Sequence, residues 1–236
     1  MFHLPGWTAM HPKSDHPTQS SHYLGEQGEA YFAYQDRGGL QRGSINARKF
    51  APYVHPICTV LDFGCGSGAL LLNLDCKRRI GVEINPAARG AAEQAGLEVY
   101  ETLATVPDRS ADVAISNHAL EHVLCPLQVL RELRGKLVKG GQLVVCVPID
   151  DWRTQKQFNP NDINHHLYTW TPLLMGNLLA EAGYQVERVW VYTHAWPPSN
   201  WQKLDACLPV WLFDLLCTFT SWRYKSRQIM AVAASL

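Results

Sequence analysis

The sequence lacks a surplus of charge of either sign. Its 236 residues carry 21 Lys and Arg against 21 Asp and Glu, a formal net charge of zero at pH 7. A protein that grips nucleic acid by its phosphates ordinarily has a basic surplus, because counterion release drives that binding. The balance therefore argues against a nucleic-acid partner. A long apolar run is also missing: the longest, Leu208 to Phe219, is interrupted by Asp214 and falls short of the ~20 residues that a membrane span needs. The first 22 residues have no apolar core of the kind found in a secretory signal, and their Pro, His, Ser and Thr content suggests a mobile arm over 1–22. The seven cysteines (Cys58, Cys65, Cys76, Cys125, Cys146, Cys207, Cys217) are scattered, odd in number and free of any C-x-x-C pair. That pattern excludes a zinc knuckle and points to reduced thiols in a soluble, cytoplasmic protein. Internal repeats are absent. What is present, 47% hydrophobic and 10% aromatic residues with 18% charged, suffices for the core of one domain and rules out a disordered or collagen-like chain.

From Thr59 onward short β-branched runs alternate with helical stretches. Thr59–Phe63, Ile80–Ile84, Leu97–Glu101, Asp112–Ser116 and Leu143–Val147 read as strands. Between them lie a helix through Leu70–Leu74, one capped by Asn85 with Pro86 in its first turn and Gly96 past its end, and one starting at Pro126 and stopped by Gly140–Gly141. Thr171 and Pro172 open a further helix that Gly183 closes, leading into a strand over Tyr184–Tyr192. An apolar helix at about Pro209–Trp222 and a strand at Gln228–Ala233 complete the chain. Near-continuous apolar strands belong to sheets covered on both faces, and strand–helix alternation implies right-handed crossovers in a parallel sheet.

The strongest signal is Leu61-Asp62-Phe63-Gly64-Cys65-Gly66-Ser67-Gly68, a glycine turn directly after a strand and before a helix. Glycines there let the backbone turn tightly and let a ligand approach where a Cβ would clash. Gly64, Gly66 and Ala69 also satisfy the dinucleotide G-x-G-x-x-G/A rule, so glycines alone do not choose the ligand. Asp62 discriminates. Two residues before the first glycine, its carboxylate would repel a pyrophosphate but suits an ammonium group. Glu83, 19 positions after Gly64 in IGVEINP, is placed to accept both hydroxyls of a ribose. A ribose, an adenine and a cationic amino-acid tail without phosphate describe S-adenosylmethionine.

Residues 59–148 resemble a class I S-adenosylmethionine-dependent methyltransferase, of the broad group that includes quinone-biosynthesis methyltransferases. VLDFGCGSG is similar to that family's first motif and GVEINP to its ribose-binding acidic loop. ISNHALEHV resembles the segment after the fourth strand, and LRGKLVKGGQLVVCVP the helix, Gly-Gly and fifth strand. The resemblance implies a Rossmann-like, doubly wound α/β fold: seven mostly parallel strands in the order 3-2-1-4-5-7-6, the last antiparallel. A methyltransferase domain is expected over 57–236, behind an N-terminal helical cap over 23–56. The resemblance also implies that Gly64, Cys65, Gly66 and Gly68 pack against the methionine part, Asp62 holds the ammonium, Glu83 the ribose, Ile84 flanks the adenine and Asn117 lines the methionine side. An acidic residue after the third strand often reads the adenine in that family, which brings in Glu101 and Thr102, although the usual Asp-Ala or Asp-Val pair is replaced here by Tyr100-Glu101-Thr102-Leu103.

Methyl transfer needs alignment of donor and acceptor, and for some acceptors a base. Histidine suits that role near neutral pH. The candidates are His122, in NHALEHV, and His165 and His166, in the stretch at about 150–170 that the resemblance places beside the methyl acceptor; His165 is ranked ahead of His166. His118 and His122 are four apart, as metal ligands on a helix are, but no third ligand is evident, so no metal is expected. Tyr31 and Tyr34 of the cap are further candidates to face the acceptor. Seven of the eight tryptophans lie after position 150, which suits an aromatic or partly apolar small-molecule acceptor; packing of the last helix on the sheet is the preferred account of Trp190 and Trp211. The apolar helix is followed by Arg223, Lys225 and Arg227, yet burial is favoured over contact with a membrane surface. The expectation is a methyltransferase acting on a small molecule, at oxygen before nitrogen or carbon. The alternatives are a cofactor-binding but inactive partner subunit and an NAD-dependent oxidoreductase.

Overall fold

The structure is a computed structural model that describes residues 20–35, 39–151, 153 and 155–236. The expected arm over 1–22 thus falls almost wholly outside the described residues, as does Trp152. Seven strands form one sheet in the order β3-β2-β1-β4-β5-β7-β6. They are β1 (Thr59–Phe63), β2 (Arg78–Val82), β3 (Glu98–Tyr100), β4 (Ala111–Asn117), β5 (Leu137–Ile149), β6 (Tyr184–Tyr192) and β7 (Arg227–Ser235). Strand β7 runs antiparallel to both its neighbours and the other pairings are parallel.

Both faces are covered, and the alternation of side chains along the strands shows how. Leu61 and Phe63 of β1, Leu143, Val145 and Val147 of β5, and Ile229 and Ala231 of β7 enter one buried cluster. There they meet Val129, Leu130 and Leu133 of α5 (Pro126–Lys136) and Met175 and Leu179 of α6 (Pro172–Glu181). Val60, Val113, Ile115, Val144, Cys146 and Met230, one position out of phase, enter a second cluster with Phe50 of α2 (Gly39–Phe50) and Leu70 and Leu71 of α3 (Ala69–Leu72). A period of two with apolar residues on both phases is what a doubly covered strand requires. Helix α4 (Pro86–Gln94) starts where Asn85 Oδ1 accepts from the amides of Ala87 and Ala88. The same Asn85 donates from its amide to the Gly28 carbonyl in α1 (Gly25–Gln35), which clips the N-terminal helices over the strand tips.

Two expected boundaries move and one expected burial is not met. Strand β2 ends at Val82, so Glu83 and Ile84 sit in the loop beyond it. Helix α5 ends at Lys136, not at the glycine pair, and β5 starts at once: Leu137 pairs with Ala111, then the register shifts before Val113 pairs with Gln142. Gly140, at φ +74°, absorbs that irregularity as a bulge inside the strand. The third correction is larger. Helix α8 (Val210–Tyr224) follows the short α7 (Ser199–Gln202) and buries Phe213 and Cys217 against Ile45 of α2, while Trp211 and Trp222 face outward, each 64% exposed. Its apolar content is not consumed by packing.

Candidate functional site

The glycine turn follows β1 with Gly64, Gly66 and Gly68 at φ +77°, +55° and +78°, a region that L side chains rarely adopt. Two of these positions differ in what a side chain would meet. A Cβ on Gly64 would lie 2.5 Å from the Ala119 side chain, whereas one on Gly66 meets nothing within 4 Å and would stand in the cavity. Glu83 fixes the turn: its Oε2 accepts from the Gly66 amide at 2.9 Å and its Oε1 from the Asn85 amide at 2.8 Å. Burial raises the Glu83 pKa, against the lowering effect of those amides. Asp62 lies beneath, 2% exposed, with Oδ1 lacking any partner. Burial first, and then the neighbouring Glu83, push its pKa up to about 8. A buried carboxyl with an oxygen free of hydrogen bonds is able to receive a cation.

These residues open into a cavity of about 640 Å³ between the C-terminal ends of the parallel strands and the N-terminal helices. Asp62, Gly64, Cys65, Gly66, Glu83, Ile84, Asn117, His122 and His166 line it; Gly68, Glu101, Thr102 and His165 do not. Gly68 has a packing role, because a Cβ there would lie 2.1 Å from Leu97 Cδ1. Strand β3 is a three-residue edge strand that ends before the cavity, so Glu101 reaches outward toward Arg89 at 3.7 Å. His165 is exposed and its ring stacks on His22 with centroids 4.4 Å apart. Tyr31 lines the cavity and Tyr34 does not.

A group of histidines and carboxylates forms the opposite wall. The 3-10 turn Leu120–His122 follows β4 and sinks Glu121 completely, 0% exposed, with neither carboxylate oxygen in a hydrogen bond, Oε1 lying 3.5 Å from His118 Nδ1 and 3.8 Å from His122 Nε2. Burial pushes Glu121 up to about 8. Its carbonyl accepts from the Leu167 amide at 2.8 Å, which draws the post-β5 segment across the cavity. His122 Nδ1 lies 2.5 Å from the Tyr23 hydroxyl, which donates to the Asn164 carbonyl at 2.7 Å. With the Tyr23 proton so engaged, His122 is assigned the tautomer protonated at Nδ1, leaving Nε2 as an acceptor. Burial and then the charge of His166 lower the His122 pKa to about 3.

His166 Nδ1 sits 2.9 Å from Asp150 Oδ2, just past the end of β5. Burial works to lower the His166 pKa, but the Asp150 hydrogen bond and the nearby Glu121 outweigh it and the net direction is upward. One ligand atom each from Glu121, His122 and His166 lie within 4.8 Å of one another, a set able to hold a metal ion. This corrects the search for a third ligand beside His118 and His122. His118, at φ +56°, places Nε2 3.1 Å from Gln228 Oε1 and Nδ1 3.5 Å from Glu121 Oε1, and the residues able to share one ion with His122 are Glu121 and His166.

Lys49 of α2 is a residue the motif reading missed. Buried to 7% exposure, it donates to Asn117 Oδ1 at 3.2 Å and Gln228 Oε1 at 2.9 Å, both neutral. It stands as a cation on the cavity wall at the methionine-side position given to Asn117. A lysine four residues after Ile45, on the apolar face of an amphipathic helix, was the available signal.

A family profile described as a methyltransferase domain matches residues 18–189. The chain is 33% identical over 135 residues to the ubiquinone biosynthesis O-methyltransferase of Ruegeria pomeroyi, covering 51% of this chain and 50% of that protein. It is 41% identical over 98 residues to the ribosomal protein L11 methyltransferase of Edwardsiella ictaluri, covering 36% of this chain and 32% of that one. It thus spans a third to a half of the length of these curated relatives. Among solved structures, a SAM-dependent methyltransferase from Archaeoglobus fulgidus superposes with a TM-score of 0.60 at 18% identity, over 86% of this chain and 99% of that one; at this identity the match speaks for the fold. Seven strands in the observed order, an orphaned carboxylate under a glycine turn and the profile match across most of the chain place it in the S-adenosylmethionine-dependent methyltransferase family.

Proposed function

We propose that this chain transfers a methyl group to an oxygen of a small, partly apolar molecule, with His166 as the base. The observation that carries the reading is the Asp150–His166 pair at 2.9 Å on the wall facing the glycine turn. S-adenosylmethionine supplies a methyl group already activated by its sulfonium. Ionised Asp62 would take the ammonium of the cofactor, Glu83 the ribose hydroxyls through the lone pairs its two backbone amides leave free, and Lys49 the carboxylate. In its neutral form His166 takes the proton from the substrate hydroxyl at Nε2, while Asp150 holds the ring and stabilises the imidazolium. General-base assistance of this kind contributes typically ~10²–10⁴ in rate. Tyr31, Phe32 and Trp196 supply an apolar aromatic lining for the substrate. The O-methyltransferase relative supports a small-molecule acceptor, and the neutral overall charge argues against nucleic acid.

The grouping of Glu121, His122 and His166 favours a second reading of the same wall, in which these three hold a divalent cation that binds the substrate oxygen. Asp150 and Tyr23 would then be the outer partners that orient ligating histidines. The test is formation of S-adenosylhomocysteine and methylated product from a panel of phenols, catechols and hydroxy acids, with and without EDTA. Turnover that survives EDTA and fails in His166→Gln supports the base. Turnover abolished by EDTA, restored by Mn²⁺ or Mg²⁺ and lost in Glu121→Gln supports the cation. Cofactor binding without turnover of any substrate returns the chain to a non-catalytic partner, and preferential uptake of NAD overturns the assignment.

A further inference from the structure

Helix α8 is apolar on both sides. Phe213, Cys217 and Thr220 are buried and fill its inner side. On the opposite side, Trp211, Leu215, Phe219 and Trp222 are 64%, 57%, 58% and 64% exposed, and Leu212 is 37% exposed beside them. At helical spacing these five form one continuous outer stripe. Trp201 and Leu204, in the segment leading to α8, are exposed as well. A monomer does not ordinarily leave so large a connected apolar face in water.

The surrounding charge selects what covers it. The fully exposed charges on this helix and at its C-terminal exit are basic, Arg223, Lys225 and Arg227, against the partly exposed Asp214. The one acidic side chain of the helix, Asp214, turns away from the stripe toward Arg48 and His194. Two tryptophans, a tyrosine at the end of the helix and a basic exit match an anionic lipid interface, where amphipathic rings settle at headgroup depth and Lys and Arg meet acidic headgroups. No helix among the described residues is long and apolar enough to cross a membrane, so the mode is lying on the surface.

We propose that the outer stripe of α8, with Arg223, Lys225 and Arg227, docks this protein on an anionic membrane surface. The inner side of the helix packs with Trp196, which lines the cavity, so docking sets the cavity beside the bilayer where apolar molecules accumulate. The docking stands on the exposed stripe and its charge, independently of which molecule is methylated.

The test is co-sedimentation of the full chain with phosphatidylcholine vesicles with and without phosphatidylglycerol. Binding is expected to the phosphatidylglycerol vesicles, to fall as salt rises, and to weaken roughly fivefold for each of Arg223→Ala and Lys225→Ala. The double variant Trp211→Ser, Trp222→Ser is expected to lose at least about tenfold in partitioning. Its affinity for S-adenosylhomocysteine, which reports on the folded domain, should not change. Absence of vesicle binding, or binding undiminished in the double tryptophan variant, overturns the proposal. So does a dimer in sedimentation velocity that the double variant dissociates, because a second copy of the chain is then what covers the stripe.

Discussion

Asp62→Asn separates the charge of the carboxylate from its shape, and the structure sets what should follow. Oδ1 has no partner and the side chain is almost fully buried. A charged hydrogen bond from a bound ammonium contributes about 1.5–3 kcal/mol. At about 1.4 kcal/mol per tenfold, its loss weakens binding roughly 10- to 150-fold. The pH dependence is the sharper test. With a pKa pushed up to about 8, Asp62 is mostly protonated at pH 6.5 in the empty protein and must lose that proton to receive a cation. Affinity for S-adenosylhomocysteine should therefore tighten about tenfold per pH unit as pH approaches 8 and level off above it; in Asp62→Asn the slope disappears. Stability moves the other way. Because the folded pKa lies above the unfolded value, stability that is fully present below the unfolded pKa is lost as pH rises from about 4 through about 8. The asparagine variant escapes this loss, so without ligand it should melt higher than the parent at pH 8 and bind worse. Isothermal titration at several pH values and a thermal melt measure both. Unchanged affinity, a pH-independent wild-type Kd, or a lower melting temperature in the variant would refute the assignment.

Glu83→Gln places an amide N–H against one of the two backbone amides that Glu83 now satisfies, and should weaken cofactor binding at least about tenfold by titration. His166→Gln should cut kcat by roughly 100-fold or more with little change in cofactor affinity, whereas His165→Ala, whose ring stacks on His22 outside the cavity, should stay within about twofold of the parent; equal losses in the two would remove the base from His166. Gly64→Ala and Gly66→Ala should separate stability from binding. The first meets Ala119 and should lower the melting temperature by several degrees, at about 1–3 kcal/mol of strain. The second has open space but keeps the left-handed strain of φ +55°, so it should cost less stability than the first and add a loss of ligand affinity.

The local chemistry of the cofactor side was readable from the chain because it is written in consecutive residues. A strand, a glycine turn and an acidic tip each depend on neighbours, so Asp62, Gly64, Gly66 and Glu83 could be placed by spacing and all line the cavity. The strand order was available from the resemblance, and the period-two runs on both phases required a doubly covered sheet. Where a feature depends on length rather than pattern, spacing does not fix it. Strand β3 stops too early to bring Glu101 to the cavity, and of two adjacent loop histidines only the backbone path decides which one turns inward.

The opposite wall belongs to the tertiary structure. Tyr23, Lys49, Glu121, Asp150 and His166 come from segments that meet only when the N-terminal helices and the post-β5 segment close over the strand tips. No spacing rule links them. The sequence contains a second apolar helix surface in α8 but cannot say which side stays in water, because the same residues satisfy burial or a membrane interface equally well. That choice was made by packing. Phe213 and Cys217 found Ile45, and no described part of the chain covers Trp211, Leu215, Phe219 and Trp222 enough to bury them.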